Sequence, residues 1–355
     1  MAPVLALDPL RNAVLGLGGA VALLAGFIVI QRSLTFVGRS RARQREPRLT
    51  RLVYEAIQSS PPTGDELAKL HGLDRKLVQS ILLRLALDLR GDSGDAISQL
   101  YQLLGFIRND LARLRSWRAT VRADAAANLG LVHVAEVTAA LLPLLKDRDV
   151  RVRQAAVWAI GQIGTPDGLQ SLVRLLGDRT LIVAHRVQEV LAEHGQAVGD
   201  AILAYAEKTS SRAGRLAAIE LIGWLRLTAG AELLLEFTKH VDAEIRVKSI
   251  KAAAAIGDPR FLAAFHARLE DTSWAVRCQA AKGLSVFGSP DSVPLLSKAL
   301  RDPQWWVRFY AATALAEVGP AGEQALSDGL QNGDHRVREM ARYLLERGDL
   351  VPALP

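Results

Sequence analysis

The feature that most constrains this chain is a dipeptide, Val-Arg or a close variant, that returns at a fixed distance. It stands at Val121-Arg122, Val152-Arg153, Ile245-Arg246, Val276-Arg277, Val307-Arg308 and Val337-Arg338. Successive arginines are 31 residues apart or a multiple of 31, with a last step of 30. Arg215 falls in the same register and Ala184 occupies the remaining place, which makes eight units. A period of this size predicts a stacked array in which each unit packs only on its neighbours.

The units share an internal grammar. Three residues after the arginine stands a small side chain: Ala125, Ala156, Ala218, Ser249, Ala280, Ala311 or Ala341, with Val187 in the unit that lacks the arginine. Seven residues after it stands Leu129, Ile160, Leu191, Ile222, Ala253, Leu284, Leu315 or Leu345. Spacings of three, four and seven share one helical face, so each unit presents a narrow apolar stripe. A second apolar segment precedes each arginine, as in "GLQSLVRLLGD" and "SVPLLSKALRD". Two short antiparallel helices per unit follow, neither able to bury its stripe alone. The chain reads as all-α, and an aromatic content of 5% agrees with helices over sheets. Asp149, Asp242, Asp271, Asp302 and Asp334, four or six residues ahead of an arginine, are expected to cap the second helix and to pair with arginines across the stack. Arg122, Arg153, Arg215, Arg246, Arg277, Arg308 and Arg338 are accordingly read as structural.

The stretches "DRDVRVRQAAVWAIGQIG", "DTSWAVRCQAAKGLSVFG" and "DPQWWVRFYAATALAEVG" resemble the HEAT-repeat family, in the short bacterial variety related to phycobilisome lyases. The resemblance covers residues 98–348 and implies an α-solenoid, a fold that serves mainly as a binding surface.

Ahead of the repeats, Asn12 to Ile30 is 19 residues without a charge. As a helix it would be about 28 Å long, close to the thickness of a bilayer core. It is followed by Arg32, Arg39, Arg41, Arg43, Arg45, Arg48 and Arg51 against Glu46 alone, so this segment holds nearly all of the net charge of +7. The expectation is a single transmembrane helix whose arginine-rich end stays in the cytoplasm and touches anionic lipid, with the N-terminus outside. The expected order is an extracytoplasmic segment 1–11, a transmembrane helix 12–30, a basic juxtamembrane segment 31–51, a helical domain 52–97, the solenoid 98–348 and a tail 349–355. The location expected is the cytoplasmic membrane, with the solenoid in the cytoplasm.

In "TGDELAKLHGLDRKLVQSILLRL", Ala68, Gly72 and Val78 have helix-turn-helix spacing, and the second helix carries Arg75, Lys76, Gln79 and Arg84. The segment resembles winged-helix DNA readers. A membrane-tethered DNA-binding regulator is thus an alternative, although the charge imbalance is already accounted for by topology and nucleic acid is not the expected partner.

Signals for chemistry are sparse. The seven histidines are scattered, with no recurring His-Glu pair like that of the iron-binding HEAT hydroxylases, and one cysteine, Cys278, excludes an internal disulfide. No glycine-rich phosphate loop or nucleophile elbow occurs. No cofactor, metal or small-molecule substrate is expected. The chain reads as a non-enzyme, with a HEAT-type lyase or glycosylase as a further alternative.

The favoured expectation is a membrane-anchored scaffold that binds a membrane-associated protein through its solenoid. Trp274 and Trp305 stand three residues before a repeat arginine, where the family often places tryptophan as packing. Trp306, one position on, departs from the pattern. Trp274, Trp305, Trp306 and His335 are candidate partner-binding residues along one edge of the stack; the competing reading has Trp306 filling the gap between units 7 and 8.

Overall fold

This computed structural model describes residues 43–59, 62–89, 91–178 and 180–346. The expected span 12–30, the segment 1–11, Arg32, Arg39, Arg41 and the tail 349–355 lie outside the described residues. Among the described residues there is no strand, and no helix is long and apolar enough to cross a membrane. The described residues divide into two compact units, those up to 116 with 131–134, and those of 117–130 with 135 onward.

In the first unit, the helical residues 43–58 (α1) overlap the expected basic juxtamembrane segment. Leu49, Val53 and Ala56 recur at helical spacing and are buried, which makes this arginine-rich stretch one wall of a folded core. Its charges stay at the surface: Arg45 pairs with Asp74 at 2.8 Å and Glu46 with Arg84 at 2.6 Å. The unit continues through α2 (Asp65–Ala68), α3 (Gly72–Asp88), α4 (Asp92–Leu103) and α5 (Phe106–Arg113). Gly72 has φ +58°, a left-handed conformation that costs glycine little and lets α3 follow α2 with three residues between them. Leu67, Val78, Leu82, Ile97, Tyr101 and Phe106 close the core. The expected solenoid starts at residue 98, yet the rest of α4 and all of α5 belong to this first core.

The second unit is a stack of helix pairs. Its arginine-bearing series is α6 (Ala119–Leu131), α8 (Val150–Ile163), α10 (Leu181–Glu193), α12 (Arg212–Trp224), α14 (Ala243–Ile256), α16 (Trp274–Leu284), α18 (Trp305–Glu317) and α20 (His335–Glu346). Between these lie the shorter α7 (Thr138–Leu141), α9 (Pro166–Val173), α11 (Gly199–Lys208), α13 (Ala231–Phe237), α15 (Leu262–Arg268), α17 (Val293–Ala299) and α19 (Pro320–Asn332). The small residues at the third position after each arginine, Ala125 through Ala341, are fully buried, as are Val187 and Ser249. Packing is closest where glycine faces the next helix. A Cβ on Gly223 would stand 2.8 Å from Ala252 Cα, nearer than atoms can approach.

The aspartates do two jobs, and Asp242 does both, since it also takes the Arg212 guanidinium of the preceding unit. Asp149 and Asp242, four residues before an arginine, cap their own helices by accepting the backbone N–H of Arg151 (2.9 Å) and Glu244 (2.8 Å). Those six residues before an arginine take the guanidinium of the preceding unit in a two-pronged grip. Arg122 holds Asp147 in this way, Arg246 holds Asp271, and Arg277 holds Asp302. Each arginine also donates Nη1 to carbonyls of its own loop, as Arg277 does to Asp271 at 2.8 Å. The ladder is absent through the middle. Arg153 reaches the Thr180 hydroxyl (2.6 Å), Ala184 has no donor, and Arg215 turns to the carbonyls of Ala206 and Thr209 and lies over Phe237.

Candidate functional site

The expected partner-binding residues sit at the start of α18, a place fixed by the ladder. Asp302 receives Arg277 through both carboxylate oxygens and accepts the Gln304 N–H at 2.8 Å. The turn is thereby clamped, and Trp305 and Trp306 become the first two residues of the helix. Their rings meet edge to face with centroids 4.8 Å apart. Trp305 stacks on Phe309 at 5.1 Å and touches Tyr343 of α20 at 6.3 Å. Trp306 instead lies along its own helix, over Tyr310 at 6.3 Å and against Phe309 at 6.1 Å. Phe309 is buried beneath the pair, whereas Trp305 is 36% and Trp306 48% exposed. Of the two tryptophans, Trp305 bridges units 7 and 8, beside Phe309, which meets Tyr343 at 6.1 Å, and Trp306 stands at the surface.

Of the four candidates, Trp305 and Trp306 come together. Trp274 is exposed but joins no ring contact, and His335, also exposed, joins neither ring nor hydrogen bond among the described residues. The cluster recruits Phe309, Tyr310 and Tyr343, which sequence reading passed over. Phe309 and Tyr310 were discoverable, since each lies four residues after a tryptophan on one helix. Tyr343 was not, because it arrives from the next unit. Lys282 of α16 sets its ammonium 5.3 Å from the Tyr310 ring, adding a cation to the edge.

The residues of the DNA-reading alternative point elsewhere. Arg75 donates to the Leu104 carbonyl and lies 4.8 Å from the Phe106 ring centre. Gln79 donates to the Tyr101 hydroxyl at 2.6 Å and to Asp110 at 3.2 Å. Tyr101 in turn donates to Asp110 at 2.5 Å, and burial with that neighbouring charge pushes its phenol well above the ordinary range. Arg75 and Gln79 thus serve the first unit's interior, while Lys76 and Arg84 are exposed, Arg84 in its pair with Glu46.

Cys278 of α16 is half-buried, and burial pushes its thiol up to about 11, which keeps it protonated at neutral pH and poorly nucleophilic. Among the described residues no three His, Cys, Asp or Glu side chains gather as a metal-ligand set.

A family model described as HEAT repeats matches residues 110–192 and 262–346. The similarity read from the sequence holds in those two segments, which include α6, α8 and α10 on one side and α16, α18 and α20 on the other. No curated protein sequence matches the chain. Among solved structures, importin beta is 15% identical over 86% of this chain and 47% of its own length, with a TM-score of 0.50. An engineered protein is 19% identical over 79% of this chain and 87% of its own, TM-score 0.39. The complex of CpcE and CpcF of phycocyanin lyase from Nostoc sp. PCC7120 is 16% identical over 67% and 94%, TM-score 0.30. The importin likeness is one of fold: an all-helical, solenoid-like array of repeats.

Proposed function

We propose that this chain, with HEAT-like repeats at both ends of its stack, is a protein-binding scaffold that docks a partner on the aromatic edge of α18, and that residues 12–30 tether it to the cytoplasmic membrane. One observation carries the docking reading: Trp306 leaves about half of its ring in water beside the half-exposed Trp305, on a helix start held rigid by Asp302. Large exposed aromatics on a fixed backbone lose little conformational freedom on binding and are the commonest anchors of protein interfaces. The tether rests on the 19 uncharged residues and the arginines that follow them. No catalytic step is assigned. Solenoids act through surface, and the cysteine is held as a neutral thiol.

The test uses the full chain in cells. A photo-crosslinking amino acid in place of Trp306 should capture one defined protein in the membrane fraction, and the same group at exposed Leu181 on α10 should not. Equal capture from both positions, or none from position 306, refutes the docking reading. Release of the full chain by alkaline carbonate refutes the tether.

A further inference from the structure

The repeat arginines Arg122, Arg246 and Arg277 each end on a carboxylate of the next unit, and Arg308, at the junction that carries the aromatic edge, does not. Arg308 is 7% exposed and donates Nη1 to the carbonyls of Asp302 (3.0 Å) and Pro303 (3.2 Å). Arg277 makes the same pair of bonds one unit earlier, to Asp271 and Thr272. Arg277 then spends Nε and Nη2 on Asp302. Nε of Arg308 is buried and has no hydrogen-bond partner among the described residues. The reason lies in the sequence. Asp147, Asp271 and Asp302 stand six residues before the next unit's arginine, and six before Arg338 stands Asn332, the last residue of α19.

A buried guanidinium N–H without an acceptor is costly, and the carboxylate that would satisfy it is the group this interface takes at three other junctions. Among the described residues, the two nearby aspartates are already engaged elsewhere. Asp302 is occupied by Arg277. Asp334 accepts the N–H groups of Arg336 and Val337 and lies 3.9 Å from Arg301. The surroundings also lead outward: Asn332 is exposed, and Trp305, three residues before Arg308 on the same face of α18, is partly exposed and touches Tyr343 across the junction.

We infer that the Nε edge of Arg308 is a carboxylate-binding site, filled by an aspartate or glutamate side chain of the partner segment that lies on the Trp305–Trp306 edge. The inference rests on the docking reading above and specifies the chemistry it selects: an apolar contact for the tryptophans with an acidic residue beside it. Charge and acceptor number set the preference, because guanidinium pairs with the negative carboxylate through two parallel bonds and a neutral amide has one acceptor oxygen.

Asn332→Asp tests it without changing shape, since it supplies the carboxylate from within the chain. In the detergent-solubilised full-length protein this variant should raise Tm by roughly 2–4 °C. The Arg308 Nε–H resonance, identified by its loss in Arg308→Lys, should shift saturably with the blocked dipeptide acetyl-Leu-Asp-amide and stay in place with acetyl-Leu-Asn-amide. In Asn332→Asp that response to the aspartate peptide should vanish. An unchanged or lowered Tm in Asn332→Asp, or equal shifts from the two peptides, overturns the carboxylate site. The two readings separate cleanly. A partner crosslinked at position 306 as strongly in Asn332→Asp as in the parent keeps the docking edge and removes the carboxylate from it. Peptide selectivity without any crosslinked partner does the reverse.

Discussion

Arg246 grips Asp271 through Nε at 2.9 Å and Nη2 at 2.7 Å, and both side chains are buried. The pair joins α14 to the turn that opens α16, so it ties one unit to the next at the level of charge as well as packing. Asp271 also accepts the Ser273 N–H at 2.9 Å, so one carboxylate serves the junction and the turn. Replacing it removes the acceptor and strands a buried cation. Asp271→Ala should therefore lower unfolding stability by about 3–5 kcal/mol. Urea denaturation followed by circular dichroism measures it, and a loss below about 1 kcal/mol would mean the grip is relieved by solvent.

The same carboxylates set an acid limit. Burial raises the Asp271 carboxyl, but its bonds to Arg246 and the Ser273 N–H outweigh that and hold it below the usual range. The Arg212 guanidinium holds Asp242 down to about 2, from an ordinary 3.8. A carboxyl whose folded pKa is depressed adds stability that is complete above the unfolded value and lost as pH falls through the folded one. Stability should be level above about pH 5 and decline between about pH 4 and pH 2. Asp242→Asn should make that decline shallower. A pH series of thermal melts checks both.

Trp306 and Phe309 stand in one ring cluster with opposite burial. Phe309→Ala empties a packed site and should cost about 3–5 kcal/mol, as core aromatic truncations do. Trp306→Ala should cost no more than about 1 kcal/mol, since much of its ring is in water already. Equal losses would place Trp306 in the core.

The break in the arginine ladder falls at Ala184 and Arg215, where the stack should have a joint. Without a two-pronged grip between α8 and α12, openings that separate neighbouring units cost less there. Amides of α10 and α12 should exchange with deuterium faster than those of α14 and α16. Uniform protection along the stack would remove the joint.

Backbone contact governs another site. Gly223→Ala puts a methyl 2.8 Å from Ala252 Cα, where no flexible side chain end can yield. It should destabilise by about 1–3 kcal/mol, as overpacking does, and the denaturant midpoint measures it.

By itself the sequence determined the period, the helix pairs and the buried small residues, because stacking depends on what recurs every 31 positions and recurrence is visible in one dimension. It also determined that Trp306 breaks the pattern. Only the tertiary structure divided the aspartates into caps and ladder acceptors, since Asp149 and Asp147 differ by two residues yet face different units. It turned Arg75 and Gln79 inward, brought Tyr343 to Trp305 and left Arg308 Nε without an acceptor. Each of these depends on which side chain a neighbouring helix presents across a gap of a few ångströms. That distance is set by packing between units, and no spacing along a single unit encodes it.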